Sequence, residues 1–141
     1  SLNNTRKEII NPHSFIASDG AGYAQSAFES GDLIHPRSFG AFAHFWHRFV
    51  NEHAFIHPQE AIKKITFAVA EKLHLRHRGV LAKDYIADIV VFDPNQFRER
   101  STYRDPYQYA TGIDWVFVNG KMAVAQGALA QSRYGQVLKK F

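Results

Sequence analysis

The sequence predicts an α/β fold in which helices come first and an antiparallel β segment comes last. Two apolar stripes between residues 38 and 78 recur at three- and four-residue spacing, which places them on single helix faces. After Gly79 the period changes: "IADIVVF" (86–92) and "WVFV" (115–118) are short β-branched and aromatic runs of strand type. Asn119-Gly120 follows the second run and can take the positive φ angles of a two-residue hairpin, which predicts antiparallel pairing with residues 121–125.

The elements follow in chain order. Residues 3–10, "NNTRKEII", predict a short helix ended by Asn11-Pro12, because proline disfavours helical geometry in the residue before it. Ser14 to Ser18 predicts a short buried strand that closes on the acid Asp19. Residues 20–37, punctuated by Gly20, Gly22, Gly31 and Pro36, predict a long loop of the kind that carries function on a rigid scaffold. Ser38 is placed to cap a helix running to about His53, with Phe39, Phe42, Trp46, Phe49 and Val50 on its apolar face. A second helix starts at Pro58, a favoured first position, carries Ile62, Ile65, Val69 and Leu73, and stops before Gly79. Asp88 reads as a satisfied edge acid and Asp93-Pro94 as a turn. Arg78-Gly79 is the natural seam, dividing 1–78 from 79–141.

The 141 residues suffice for one ordinary domain. With no cysteine, a disulfide framework and a thiolate metal site are both excluded, and a cytoplasmic protein is consistent with that usage. The net charge of +4 is scattered over short clusters such as Lys63-Lys64, Arg76-His77-Arg78 and Lys139-Lys140, not gathered into a stripe, so no nucleic-acid partner is expected. No apolar run is long enough to span a membrane, and none is expected as a partner. The only methionine is Met122, so Ser1 reads as the start of a piece taken from something longer.

Three features carry possible chemistry. Asp19 is a carboxylate at the carboxyl end of a strand, where a proton acceptor or a metal ligand is commonly kept; an Asp-Gly turn is the structural alternative. The stretch "LIHPRSFG" offers His35 and Arg37 within one loop. Arginine presents a planar fork that grips a carboxylate with two hydrogen bonds. His44/His47, His53/His57 and His74/His77 fall at helical spacing, but with no H-E-x-x-H and no acid placed to complete the first pair they read as solvated or stacking side chains.

With these residues in hand, the chain resembles the C-terminal part of the N-acyl-D-amino-acid deacylases (D-aminoacylases) of the amidohydrolase superfamily. The resemblance rests on "SDG" (18–20), "HPRSFG" (35–40), "EAIKKIT…AEKLHLRHRGVL" (60–81), "ADIVVFD" (87–93), "YRDPYQYATGIDWVFVNGK" (103–121) and "GQVLKK" (135–140). It departs at Asp84 and Val69, where the family usually has glycine and proline, and in the loop from Ala21 to Leu33. The resemblance implies that 1–78 is the last strand and helices of a metal-dependent (β/α)8 barrel, and 79–141 the C-terminal part of a small β-sandwich. It implies that Asp19 is general base on a metal-activated water and then acid towards the departing amine, and it leaves a metal-ligand role open to the same carboxylate. Arg37, with His35 beside it, would bind the carboxylate of a small-molecule N-acyl-D-amino acid. Zinc is the implied cofactor, held largely by residues that this chain does not contain.

A (β/α)8 barrel takes about 250 residues, so 141 residues predict an incomplete barrel, inactive alone and prone to self-association through an unpaired strand. Two alternatives stay open at this point. One is a cyclic-amide hydrolase of the hydantoinase, dihydroorotase or imidazolonepropionase type. The other is a non-catalytic interaction module that docks through the Phe-rich helix.

Overall fold

A computed structural model describes residues 1–138, apart from the side chains of Gln25 and Ser26; Lys139-Lys140 and the end of the "GQVLKK" motif lie outside the described residues. Helix α1 (Leu2–Ile10) ends as expected: Asn11, held before Pro12, turns out of helical geometry with ψ 122° while its N–H still reaches the carbonyls of Lys7 and Glu8. Residues 14–18, expected as a strand, join no sheet. Burial alternates along them as a strand's does, with Ser14, Ile16 and Ser18 inward and Phe15 and Ala17 outward. A ladder needs a neighbour, however, and the one sheet of the described residues is built wholly from β1 to β4, beyond residue 88. The long loop holds one short 3-10 turn, Gln25–Glu29.

Helix α2 (Arg37–His44) starts one residue earlier than expected. Pro36 stands at its cap without a side-chain bond, and Ser38 lies inside the first turn, its N–H bonded to the His35 carbonyl at 3.1 Å, so Ser38 is not the cap. The chain continues from Phe45 to Glu52 with wider i→i+5 winding, closed by the His53 N–H on the Arg48 carbonyl at 3.1 Å. This turn buries Phe45, Trp46 and Val50 together. Helix α3 (Pro58–Ile65) begins on proline as expected, but the single helix predicted to reach Gly79 breaks at Thr66 (φ −130°, ψ −92°) and restarts as α4 (Phe67–Lys72). The Thr66 hydroxyl donates to the Ile62 carbonyl at 2.7 Å, and that back-bonding bends helices.

The sheet is an antiparallel meander in the order β1 (Ile89–Phe92), β2 (Ile113–Val118), β3 (Lys121–Ala125), β4 (Ala128–Leu129). The predicted hairpin is present, with Asn119 at φ 51° and Gly120 at φ 75°. A second turn of the same hand at Gln126-Gly127 adds β4, which the pattern did not announce. Strand β1 starts later than residue 86 because Asp88 is committed elsewhere: its Oδ1 accepts the Asn119 N–H at 2.8 Å and its Oδ2 pairs with Arg78. Asp88 is thus the structural acid expected. Asp93 is the turn expected, its Oδ1 accepting the Asn95 N–H at 2.8 Å. Asp84 sits at φ 66°, a left-handed conformation that glycine adopts freely and that aspartate tolerates.

Ile9, Phe45, Trp46, Val50 and Ala61 form the core, and Ile16, Ile62, Phe92 and Phe97 pack against it. Trp46 ties helix to sheet. Its ring meets Phe92 edge-on at 5.2 Å, and its Nε1–H donates to the Pro94 carbonyl at 2.8 Å, an oxygen that also accepts Asn51 Nδ2 at 2.7 Å. Burying a side chain of this kind contributes about 1.5–3 kcal/mol. No helix among the described residues is long and apolar enough to cross a membrane.

Candidate functional site

Asp19 and Arg37 lie 18 residues apart in sequence, and two local features bring them together. Ser18 Oγ accepts the Gly20 N–H at 3.2 Å, turning the chain sharply after the alternating segment, and Asp19 takes φ 45° in that turn. Gly20 then passes against the start of α2: a Cβ there would come within 2.8 Å of the Ser38 Cα. The result is an ion pair, Arg37 Nη2 to Asp19 Oδ2 at 3.0 Å. The Asp19 side chain is 83% exposed and that of Arg37 is 46% exposed. A pair this open contributes only ~0–1 kcal/mol to stability. Its geometry matters for what it can bind more than for holding the fold.

His35 is bonded to the Arg37 backbone and has both ring nitrogens engaged. Nδ1 accepts the backbone N–H of Arg37 at 3.1 Å, which leaves the proton on Nε2, facing the Tyr103 hydroxyl at 3.0 Å. Tyr103 was not singled out from the sequence, although it stands in "YRDPYQY". The same stretch supplies Tyr107 and Tyr109, which join Tyr23, Phe28 and Phe39 in a cluster of rings with centroids 5.2–6.1 Å apart. Offset and edge-on contacts of this kind stabilise by about 0.5–1.5 kcal/mol per pair, so the loop from Ala21 to Leu33 is pinned beside the α2 start.

Gly40 explains the last letter of "HPRSFG". A Cβ at this position would meet Ser101 Oγ at 2.5 Å and Glu99 Cβ at 3.0 Å. Without a side chain, α2 can lie directly on residues 99–101, and the buried Ser101 hydroxyl donates to the Pro36 carbonyl at 2.9 Å. The root of α2, and with it Arg37, is therefore fixed from the β region.

The helical histidines behave as side-chain pairs and stacks. His44 Nδ1 meets Glu99 Oε1 at 2.7 Å, and His47 Nε2 meets Glu52 Oε1 at 3.2 Å. Each ring of this pair thus has its own carboxylate partner, where the sequence pointed to solvated or stacking side chains. Glu52 also accepts from Arg48, whose guanidinium holds its carboxyl below the usual carboxylate range. His53 stacks on Phe55 at 5.0 Å and on Phe49 at 6.2 Å.

No group of three or more His, Asp or Glu side chains among the described residues could hold a metal ion. A catalytic zinc takes three protein ligands and keeps one position open. Asp19 is one carboxylate already paired with a guanidinium, so the described residues do not by themselves fit zinc.

Residues 4–123 match the amidohydrolase family. The chain is 36% identical over 104 residues to an N-acyl-D-aspartate deacylase of Alcaligenes xylosoxydans xylosoxydans, covering 74% of this chain and 21% of that protein. It superposes with TM-score 0.85 at 26% identity on a D-aminoacylase bearing a binuclear metal centre, over 97% of this chain and 27% of the other. A TM-score of 0.83 at 30% identity relates it to an N-acyl-D-glutamate deacylase from Bordetella bronchiseptica, complexed with zinc and a phosphonate mimic of the tetrahedral intermediate. That match covers 98% of this chain and 27% of the other. The chain thus spans about a fifth to a quarter of the length of these relatives. On the match across residues 4–123, the chain belongs to the amidohydrolase family.

Proposed function

We propose that these residues are the C-terminal part of a zinc-dependent N-acyl-D-amino-acid deacylase, with 1–78 from its barrel and 79–141 from its β-sandwich. The observation that carries this reading is the approach of the Arg37 guanidinium to the Asp19 carboxylate, 3.0 Å across a turn that only a glycine at position 20 permits. The relatives named for acylated D-aspartate and D-glutamate act on substrates of the matching class.

In the proposed reaction a water oxygen bonds to the acyl carbon and Asp19 takes the water's proton. The C–N bond then breaks and Asp19 passes that proton to the leaving nitrogen, giving a carboxylate and a free D-amino acid. Arg37 has five N–H donors, of which Nη2 holds Asp19; the others suit the substrate's own carboxylate. His35 supports that grip by fixing the Arg37 backbone. The intact enzyme is expected to hydrolyse N-acetyl-D-amino acids and to leave cyclic imides and N-acetyl-L-amino acids untouched. Turnover of the cyclic compounds alone would transfer the assignment to a cyclic-amide hydrolase.

A cleft of about 1100 Å³ between α2, α3 and β1 supports the reading of a part within a larger whole. It opens beside Ser18 and Arg37 and is lined by exposed apolar side chains such as Phe42, Phe67, Leu81 and Val90. An apolar surface of this size is normally covered. The isolated 141-residue chain is accordingly expected to bind no stoichiometric zinc, to hydrolyse no amide and to self-associate. Metal analysis showing one zinc per chain, or sedimentation showing a tight monomer at high concentration, would refute this.

A further inference from the structure

We propose that Lys64 is a positioning residue for Asp19, clamping the root of the segment that carries the acid. This rests on the reading of Asp19 as the proton carrier. Lys64 belongs to the apolar side of α3, yet its side chain is buried with only 6% of the residue exposed. Among the described residues its ammonium forms no salt bridge, the nearby Glu60 carboxylate pairing with Lys63 at 3.9 Å. Instead Lys64 Nζ donates to three oxygens on one short stretch: the Asn11 carbonyl, the Ser14 carbonyl at 2.9 Å and the Ser14 hydroxyl at 3.1 Å. Ser14 Oγ in turn donates to the Glu8 carbonyl at 2.6 Å, so the clamp gathers the end of α1, the start of the acid-bearing segment and α3 at one point.

A lysine in such a place needs a reason. Burial penalises the ammonium and lowers its pKa from the usual value, with the Glu60 carboxylate opposing that shift and the Lys63 ammonium adding to it, so the site is costly compared with a leucine at the same position. Three oxygen acceptors match the three donors of an ammonium and offset that cost. The segment they anchor has no β ladder among the described residues to hold it. Its far end is fixed by Gly20 against Ser38, its middle by Ile16 on the core, and its near end by Lys64. Four residues separate Ser14 from Asp19. A pivot at the root of so short an arm is carried directly to the carboxylate, and a misplacement of about 1 Å can cost about 10²-fold in rate.

The test is made in the intact enzyme that carries these residues, with Lys64→Met, Ser14→Ala, Asp19→Asn and the double variant Lys64→Met/Asp19→Asn. Lys64→Met is expected to lower kcat about 10- to 100-fold with KM nearly unchanged, and to speed hydrogen exchange at the amides of residues 15–19. Ser14→Ala removes one of the three contacts and serves if Lys64→Met does not fold; it is expected to show the same signs, smaller. The decisive readout is the double variant: once Asp19 is gone, loss of Lys64 should reduce turnover no further. A merely structural lysine would lower turnover by the same factor in both backgrounds, and that result would overturn the proposal, as would unchanged kcat in Lys64→Met and Ser14→Ala. Asp19→Asn with full turnover would instead remove the proton-carrier reading, and the positioning role with it.

Discussion

Asp19→Asn in the intact enzyme is expected to lower kcat about 10²- to 10⁴-fold, the range that a positioned general acid–base contributes. KM should change little. An amide at this position keeps the size of the side chain and can still accept a hydrogen bond from Arg37, but it cannot take up a proton at working pH. The side chain is 83% exposed and its ion pair contributes little to the fold, so thermal stability should be nearly that of the parent. Loss of activity together with loss of stability would argue for a structural acid. Unchanged turnover would take Asp19 out of the reaction altogether.

Arg37→Met is expected to act on binding. Removing one partner of a charge pair that substrate binding buries costs about 2–5 kcal/mol, which at 1.4 kcal/mol per factor of ten predicts a rise in KM of about 30- to 4000-fold. Because the carboxylate grip is present in ground state and transition state alike, kcat should fall far less. Arg37 also holds Asp19, so any disturbance passed on through the acid would affect all substrates equally. The measurement is therefore a ratio: kcat/KM for an N-acyl-D-amino acid divided by kcat/KM for the same amide lacking the carboxylate. A fall in the ratio identifies Arg37 as the carboxylate anchor; an unchanged ratio makes it structural. Arg37→Lys should fall between the two, since a point charge replaces a planar fork.

What could be read in the residues was mostly local. Asn11-Pro12 and Pro58 act within a few residues of themselves, and the helix ends they announce are where the structure has them. Asn119-Gly120 likewise marks a hairpin without outside help. Thr66 was silent because its effect depends on a rotamer, the hydroxyl turned back onto Ile62, which no apolar spacing reveals. The segment 14–18 was legible in its alternation from its own residues, while its lack of a neighbouring strand came from the resemblance, because a strand's partner is a property of the rest of the chain. At the site, the residue types Asp19, His35 and Arg37 came from motif and resemblance. Their meeting depends on Gly20 lying against Ser38, and the contacts of Glu99 with His44 and of Lys64 with Ser14 close over 55 and 50 residues. Single-sequence patterns do not encode separations of that order.

The near-contact at Gly40 carries a lesson about heredity. Position 40 can gain even a methyl group only if what stands at 99 and 101 shrinks or withdraws. A lone change at position 40 should therefore be rare in living lineages, appearing only beside a smaller or withdrawn residue at 99 or 101.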